Sequence, residues 1–116
     1  VSKTLSGQVR DNDPGLAAGW FYRAAEQGYA DAQFNLGLMY ANGEGIEQDI
    51  VQAVELFKKA AEQGNIDAQN NLGALYYTGE GMERNVDIAI EWFEKAAALG
   101  SDDARANLEA IKSAGQ

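Results

Sequence analysis

The chain has no cysteine, no histidine and a single proline in 116 residues. Without cysteine there is no disulfide framework, no thiolate nucleophile and no zinc-finger spacing, although that absence does not choose a compartment. Without histidine the commonest general base and the commonest transition-metal ligand are both missing, which weakens most enzymatic readings. Positive charge is scarce as well. Nine Lys and Arg stand against 18 Asp and Glu, a formal net charge of −9, and no basic cluster exceeds Lys58-Lys59. A nucleic-acid binder needs a positive stripe against phosphate, and this chain has none. An anionic membrane surface is disfavoured for the same reason. No stretch approaches the roughly 18 consecutive apolar residues of a membrane helix, so direct membrane insertion is not expected. No leader pattern is present either, but a chain beginning at Val1 reads as a trimmed or mature form, and that absence carries little weight.

What is present is repetition. Asp31 to Gly64 reads DAQFNLGLMYANGEGIEQDIVQAVELFKKAAEQG, and 36 residues later comes DAQNNLGALYYTGEGMERNVDIAIEWFEKAAALG. An internal period of this size marks a repeat array, in which each unit buries its apolar face against its neighbours. Apolar content of 46% is ordinary for a soluble globular chain, and the length suits one domain with a modest core.

Residues 1–13 show no helical period. Gly7 lies 36 residues before Gly43, so the segment reads as a poorly structured remnant of an earlier repeat. Asp13 is placed to cap a helix with Pro14 at its first position, running to about Gln27 with Ala17, Ala18, Phe21, Ala24 and Ala25 on one stripe. Residues 14–28 are thus the B helix of a partial repeat. Asp49 and Asn85 cap two further B helices of the same pattern, carrying Ala53, Phe57 and Ala60, then Ala89, Phe93 and Ala96. A helices lie between them, over about Ala30–Ala41, Ile66–Thr78 and Asp102–Ala114. The units are therefore 29–64 and 65–100, with 101–116 as a terminal capping helix. Asn65 and Ser101 suit N-caps. The A-helix buried stripe is Ala32, Leu36 and Tyr40, then Ala68, Leu72 and Tyr76, then Ala104 and Leu108. Gly37 and Gly73 each cost about 1 kcal/mol inside a helix relative to alanine. Their repetition beside the buried stripe predicts that the backbone of a B helix passes close by. In the third A helix Glu109 replaces that glycine and Lys112 the tyrosine, the polar outer face an array needs where it ends.

This pattern resembles the Sel1-like repeat family, relatives of tetratricopeptide repeats. Ala32, Leu36, Gly37, Tyr40, Gly43, Gly45, Ile46 and Asp49 fill the first half of the motif, and Ala53, Phe57, Lys59, Ala60, Ala61, Glu62 and Gly64 the second. The next copy matches at Ala68, Leu72, Gly73, Tyr76, Gly79, Gly81, Ala89, Trp92, Phe93, Lys95, Ala96, Ala97 and Gly100, with mild departures at Met82, Asn85 and Leu99. The resemblance spans roughly residues 14–110. It implies an all-α, right-handed α/α superhelix of about six helices whose A helices line a concave groove. It also implies a bacterial adaptor that assembles protein complexes, with cytoplasmic and exported or periplasmic settings both open. A cysteine-rich branch is linked to β-lactam binding, which a chain without cysteine does not inherit.

On the A-helix face opposite the buried stripe stand Asp31, Phe34, Asn35, Leu38 and Asn42, then Asp67, Asn70, Asn71, Ala74 and Tyr77, then Asp103 and Asn107. By analogy with tetratricopeptide repeats these face the groove. Asn35, Asn71 and Asn107 form a ladder of one amide per repeat, able to pair with the backbone of an extended peptide or to bond locally. Phe34, Leu38 and Tyr77 offer apolar anchors there, or else pack against a neighbouring helix. Trp20, Leu56 and Trp92 share one B-helix position and read as inter-repeat packing. The loops at Gly43–Gly45 and Gly79–Gly81 lack the Gly-Lys-Ser/Thr ending of a phosphate loop, so their glycines read as tight-turn residues with positive φ. The expectation is a non-enzymatic, monomeric, cofactor-free module binding a protein or peptide of basic character. A structural spacer or oligomerisation segment is the alternative, and a β-lactam site a distant third.

Overall fold

The computed structural model describes residues 14–115, in which six α-helices follow one another. They are α1 (Pro14–Glu26), α2 (Ala30–Asn42), α3 (Ile50–Glu62), α4 (Ile66–Thr78), α5 (Val86–Ala98) and α6 (Asp102–Ser113). The expected cap at Asp13 and the reading of residues 1–13 lie outside the described residues. None of the helices is long and apolar enough to cross a membrane.

Two kinds of joint alternate. After α1, α3 and α5 the chain turns at Gly28, Gly64 and Gly100, with φ of 94°, 97° and 107°. At the second of these, Gly64 N–H donates to Ala61 O at 3.0 Å and Asn65 N–H to Ala60 O at 3.1 Å, the paired bonds of a Schellman ending. Asn65 then starts the next helix in the same residue, its side chain accepting from Ala68 N–H at 2.8 Å. Ser101 does the same for Ala104 N–H at 3.0 Å. Tyr29, the equivalent residue before α2, makes no side-chain cap. The longer joints after α2 and α4 each close with a backbone bond of 2.8 Å, Asp49 N–H to Tyr40 O and Asn85 N–H to Tyr76 O. Asp49 and Asn85 then cap α3 and α5 by accepting from Gln52 and Ile88 N–H.

Each helix packs chiefly on those before and after it in sequence, so the helices stand in a row as a solenoid. The core is correspondingly a string of clusters. One joins Ala25, Ala32, Leu36 and Leu56, the next Ala53, Phe57, Ala60, Ala68 and Leu72, and the last Ala89, Phe93, Ala96, Ala104 and Ile111. Leu72 is wholly enclosed. Tyr40, Tyr76 and Leu108 of the expected stripe are half-buried, while Ile111, outside that stripe, is buried.

The glycines inside α2 and α4 have a different neighbour from the one expected. A Cβ on Gly37 would sit 2.7 Å from Phe57 Cε1, and one on Gly73 would sit 2.8 Å from Phe93 Cδ1. What passes close is an aromatic ring, whose Cδ1, Cε1 and Cζ atoms in the B-helix phenylalanine take up the space a methyl group would need. Trp20 also corrects expectation. It is 61% exposed, whereas Leu56 is buried and Trp92 half-buried between repeats.

Candidate functional site

The predicted A-helix positions fall into two differently filled halves. On α2, Phe34 and Leu38 lean on the α3–α4 cluster, and the Phe34 ring lies 5.7 Å from that of Phe57 at 42°. On α4 the same two positions are Asn70 and Ala74. That loss of volume leaves a hollow of about 150 Å³ between α4 and α6, lined by Ala74, Tyr77, Thr78, Asn107 and Ala110, with Phe93 and Ile111 beneath. Three of the predicted residues, Ala74, Tyr77 and Asn107, therefore meet at one place. Phe93 was missed because it belongs to the core stripe of α5, and Ile111 because it falls outside the stripe expected for α6. Gly73 was the available signal, since the bare backbone there is what lets Phe93 form the floor.

The asparagine ladder is not uniform. Asn35 Nδ2 donates to Asp31 O at 2.8 Å, a bond within its own helix. Asn107 Nδ2 donates to Asn70 Oδ1 at 3.0 Å and so ties α6 to α4 beside the hollow. Asn71 is half-buried and has no side-chain hydrogen bond among the described residues. Asp31 accepts from Asn65 Nδ2 at 3.0 Å, while Asp31, Asp67 and Asp103 all stand exposed in the first turns of their helices. Asn42 is exposed at the end of α2. Tyr77 is fixed from behind: Arg84 Nε donates to its carbonyl at 2.6 Å, and the guanidinium lies 5.2 Å from its ring centroid. A cation over the ring face favours a single ring orientation.

A second ladder went unread in the sequence. Gln33 and Gln69 are buried on α2 and α4, donating through Nε2 to Ala25 O and Ala61 O at 3.3 and 3.1 Å. They span the joint from each B helix to the next A helix. Gln33 Oε1 in turn accepts from Gln63 Nε2 at 2.8 Å. The signal was present as a glutamine recurring after 36 residues next to the buried stripe. The third copy has Arg105 instead, exposed and paired with Asp102 at 3.0 Å.

The arrangement presents walls, amides and carboxylates, and among the described residues no group of His, Cys, Asp or Glu that could hold a metal ion. Comparison with known proteins gives the same architecture a family. The Sel1 repeat model matches residues 5–29, 30–65 and 66–101. No functionally curated protein matches. Among solved structures, a Sel1 repeat protein from Oxalobacter formigenes is 41% identical over 84% of this chain, with a TM-score of 0.80. The protective antigen c5321 of uropathogenic Escherichia coli, described as having an SLR fold, is 49% identical over 74% of it, with a TM-score of 0.72. Helicobacter pylori cysteine rich protein B is 31% identical over 77%, with a TM-score of 0.73. The chain spans 40%, 18% and 67% of these three proteins respectively. Members of this family are commonly non-catalytic scaffolds for protein interaction. With its three matched repeats and its row of paired helices, the chain belongs to the Sel1 repeat family.

Proposed function

We propose that this chain is a non-catalytic interaction module that takes an extended segment of a partner protein across α2, α4 and α6. The observation that carries the reading is the α4–α6 hollow, which has an aromatic floor and an amide on its rim. A hollow of about 150 Å³ suits one side chain rather than a free small molecule, whose pockets run to about 300 Å³ and above. Asn71, with no side-chain bond inside the protein, is free to pair with the backbone of the segment. The predicted groove positions include three aspartates and no lysine or arginine, so complementarity favours a basic partner.

The previous repeat supplies the test. Leu38 occupies the position of Ala74, so Ala74→Leu should fill the hollow as α2 already does. Peptides selected by display against the wild-type chain should bind Ala74→Leu and Asn71→Ala at least about tenfold more weakly, about 1.4 kcal/mol. Circular dichroism should be unchanged. Equal binding to wild type and both variants would remove the groove from the mechanism.

A further inference from the structure

A larger hollow of about 320 Å³ lies on the other set of helices. Here α1 and α3 flank and α2 forms the floor, the converse of the α4–α6 hollow. Tyr22, Ala25 and Glu26 of α1, Leu36 and Tyr40 of α2, and Gln52, Leu56 and Lys59 of α3 line it.

The reason it is open can be read from the protein's other repeats. Leu56 occupies the position that holds Trp20 in α1 and Trp92 in α5. At both tryptophans a cation three residues on lies over the ring, Arg23 at 5.9 Å from the Trp20 centroid and Lys95 Nζ at 4.5 Å from that of Trp92. Trp92 also packs against the cluster containing Ala61 and Leu72, the equivalents of Ala25 and Leu36 at the α1–α3 hollow. So Trp92 fills in its own repeat the space that stands open one repeat earlier. There Lys59 keeps the place of the cation, Gln52 replaces the apolar Ile88, and the ring is missing.

We infer that the α1–α3 hollow is a receptor for a tryptophan side chain of a partner protein, which takes the place Trp92 holds in the following repeat and lies under Lys59. The walls suit that occupant. Tyr22 and Tyr40 offer ring faces and edges for offset or edge-on packing, Lys59 offers a cation for the face of an indole, and Gln52 offers an amide to the indole N–H. The Tyr22 hydroxyl is hydrogen-bonded to Glu26, and that bond with the carboxylate's charge holds its pKa above the ordinary tyrosine value. The rim therefore pairs a carboxylate at Glu26, engaged by Tyr22, with a cation at Lys59 on the opposite wall. About 300 Å³ is the lower end of the range for ligand pockets, enough for one ring system.

The test is a ¹H–¹⁵N NMR titration of the whole chain with N-acetyltryptophanamide, and with N-acetylleucinamide as the apolar control. Saturable shifts are expected at Tyr22, Gln52, Leu56 and Lys59, with the leucine probe and Lys59→Gln each weaker by about tenfold, the ratio a partly desolvated cation–π contact supplies. Leu56→Trp should fold, melt no lower than wild type and lose the shifts. Trp92→Leu should open the equivalent hollow and add a second set at Ile88 and Lys95. Absence of saturable shifts at the α1–α3 residues would overturn the inference. So would binding undiminished by Leu56→Trp and Lys59→Gln, or shifts confined to Tyr77 and Asn107. The α4–α6 groove is untouched by these variants, so its standing is judged separately.

Discussion

A single buried amide shows how closely each residue here depends on its copy 36 positions away. Gln33 and Gln69 do the same work, closing a B-to-A joint through a bond to Ala25 O or Ala61 O. Gln33 also finds a donor for its own oxygen in Gln63. The counterpart of Gln63 in the next repeat is Leu99, 53% exposed, and Gln69 Oε1 is buried with no partner in the protein. An unmatched buried acceptor costs about 1–3 kcal/mol, and a neutral hydrogen bond contributes about 1 kcal/mol net. Leu99→Gln is therefore expected to stabilise the chain by about 1 kcal/mol, read as a higher urea midpoint at unchanged m-value. Gln69→Leu in the same background should cancel that gain. A midpoint for Leu99→Gln at or below wild type would show that Gln69 Oε1 is satisfied in another way. The recurrence of the glutamine was legible in the chain but its burial and partners were not, because a glutamine at the edge of an apolar stripe looks like any solvated polar residue until the facing helix is present.

At the scale of the helix, most boundaries were legible because their punctuation is local. Asp49, Asn65, Asn85 and Ser101 each cap the residue three places on, and Gly28, Gly64 and Gly100 end the B helices at positive φ. These follow from residue type and spacing without reference to the rest of the fold. What was not legible is what lies between helices. The ring of Phe57 over Gly37, the exposure of Trp20 and the floor made by Phe93 and Ile111 all depend on how far apart two helices stand, and periodicity does not carry that distance. The same logic exposes one weak joint. Tyr29 holds the N-cap position of α2 with extended backbone and no side-chain bond, and is 62% exposed. Tyr29→Asn supplies the oxygen its two counterparts already have, so α2 should gain about 1 kcal/mol. A rise in melting temperature, with slower amide exchange in the first turn of α2, is the expected readout. No gain would mean that the Tyr29 ring contributes as much where it lies as a cap would.

Over the whole molecule the dominant fact is unbalanced charge. The chain carries 18 acidic and nine basic residues, and among the described residues, a thin row of helices, one ion pair forms, the exposed Arg105–Asp102 contact. An exposed pair of this kind contributes at most about 1 kcal/mol, so added salt has little favourable pairing to remove. It has much repulsion to screen, because at roughly 0.1 M the screening length falls to about 10 Å, less than the length of one helix. Raising sodium chloride should therefore increase the urea midpoint of the free chain. Urea is the denaturant to use, since guanidinium chloride is itself a salt. The same screening should act oppositely on a basic peptide in the α2–α4–α6 groove, whose encounter with Asp31, Asp67 and Asp103 depends on the unscreened field. Stability rising while peptide association slows, over one salt series, is the signature expected of a chain whose acidity strains the fold and steers the partner. If both quantities rose together, the attraction would be apolar and the carboxylates would have no part in recognition. If both fell, the ion pairing within the row would outweigh the repulsion along it.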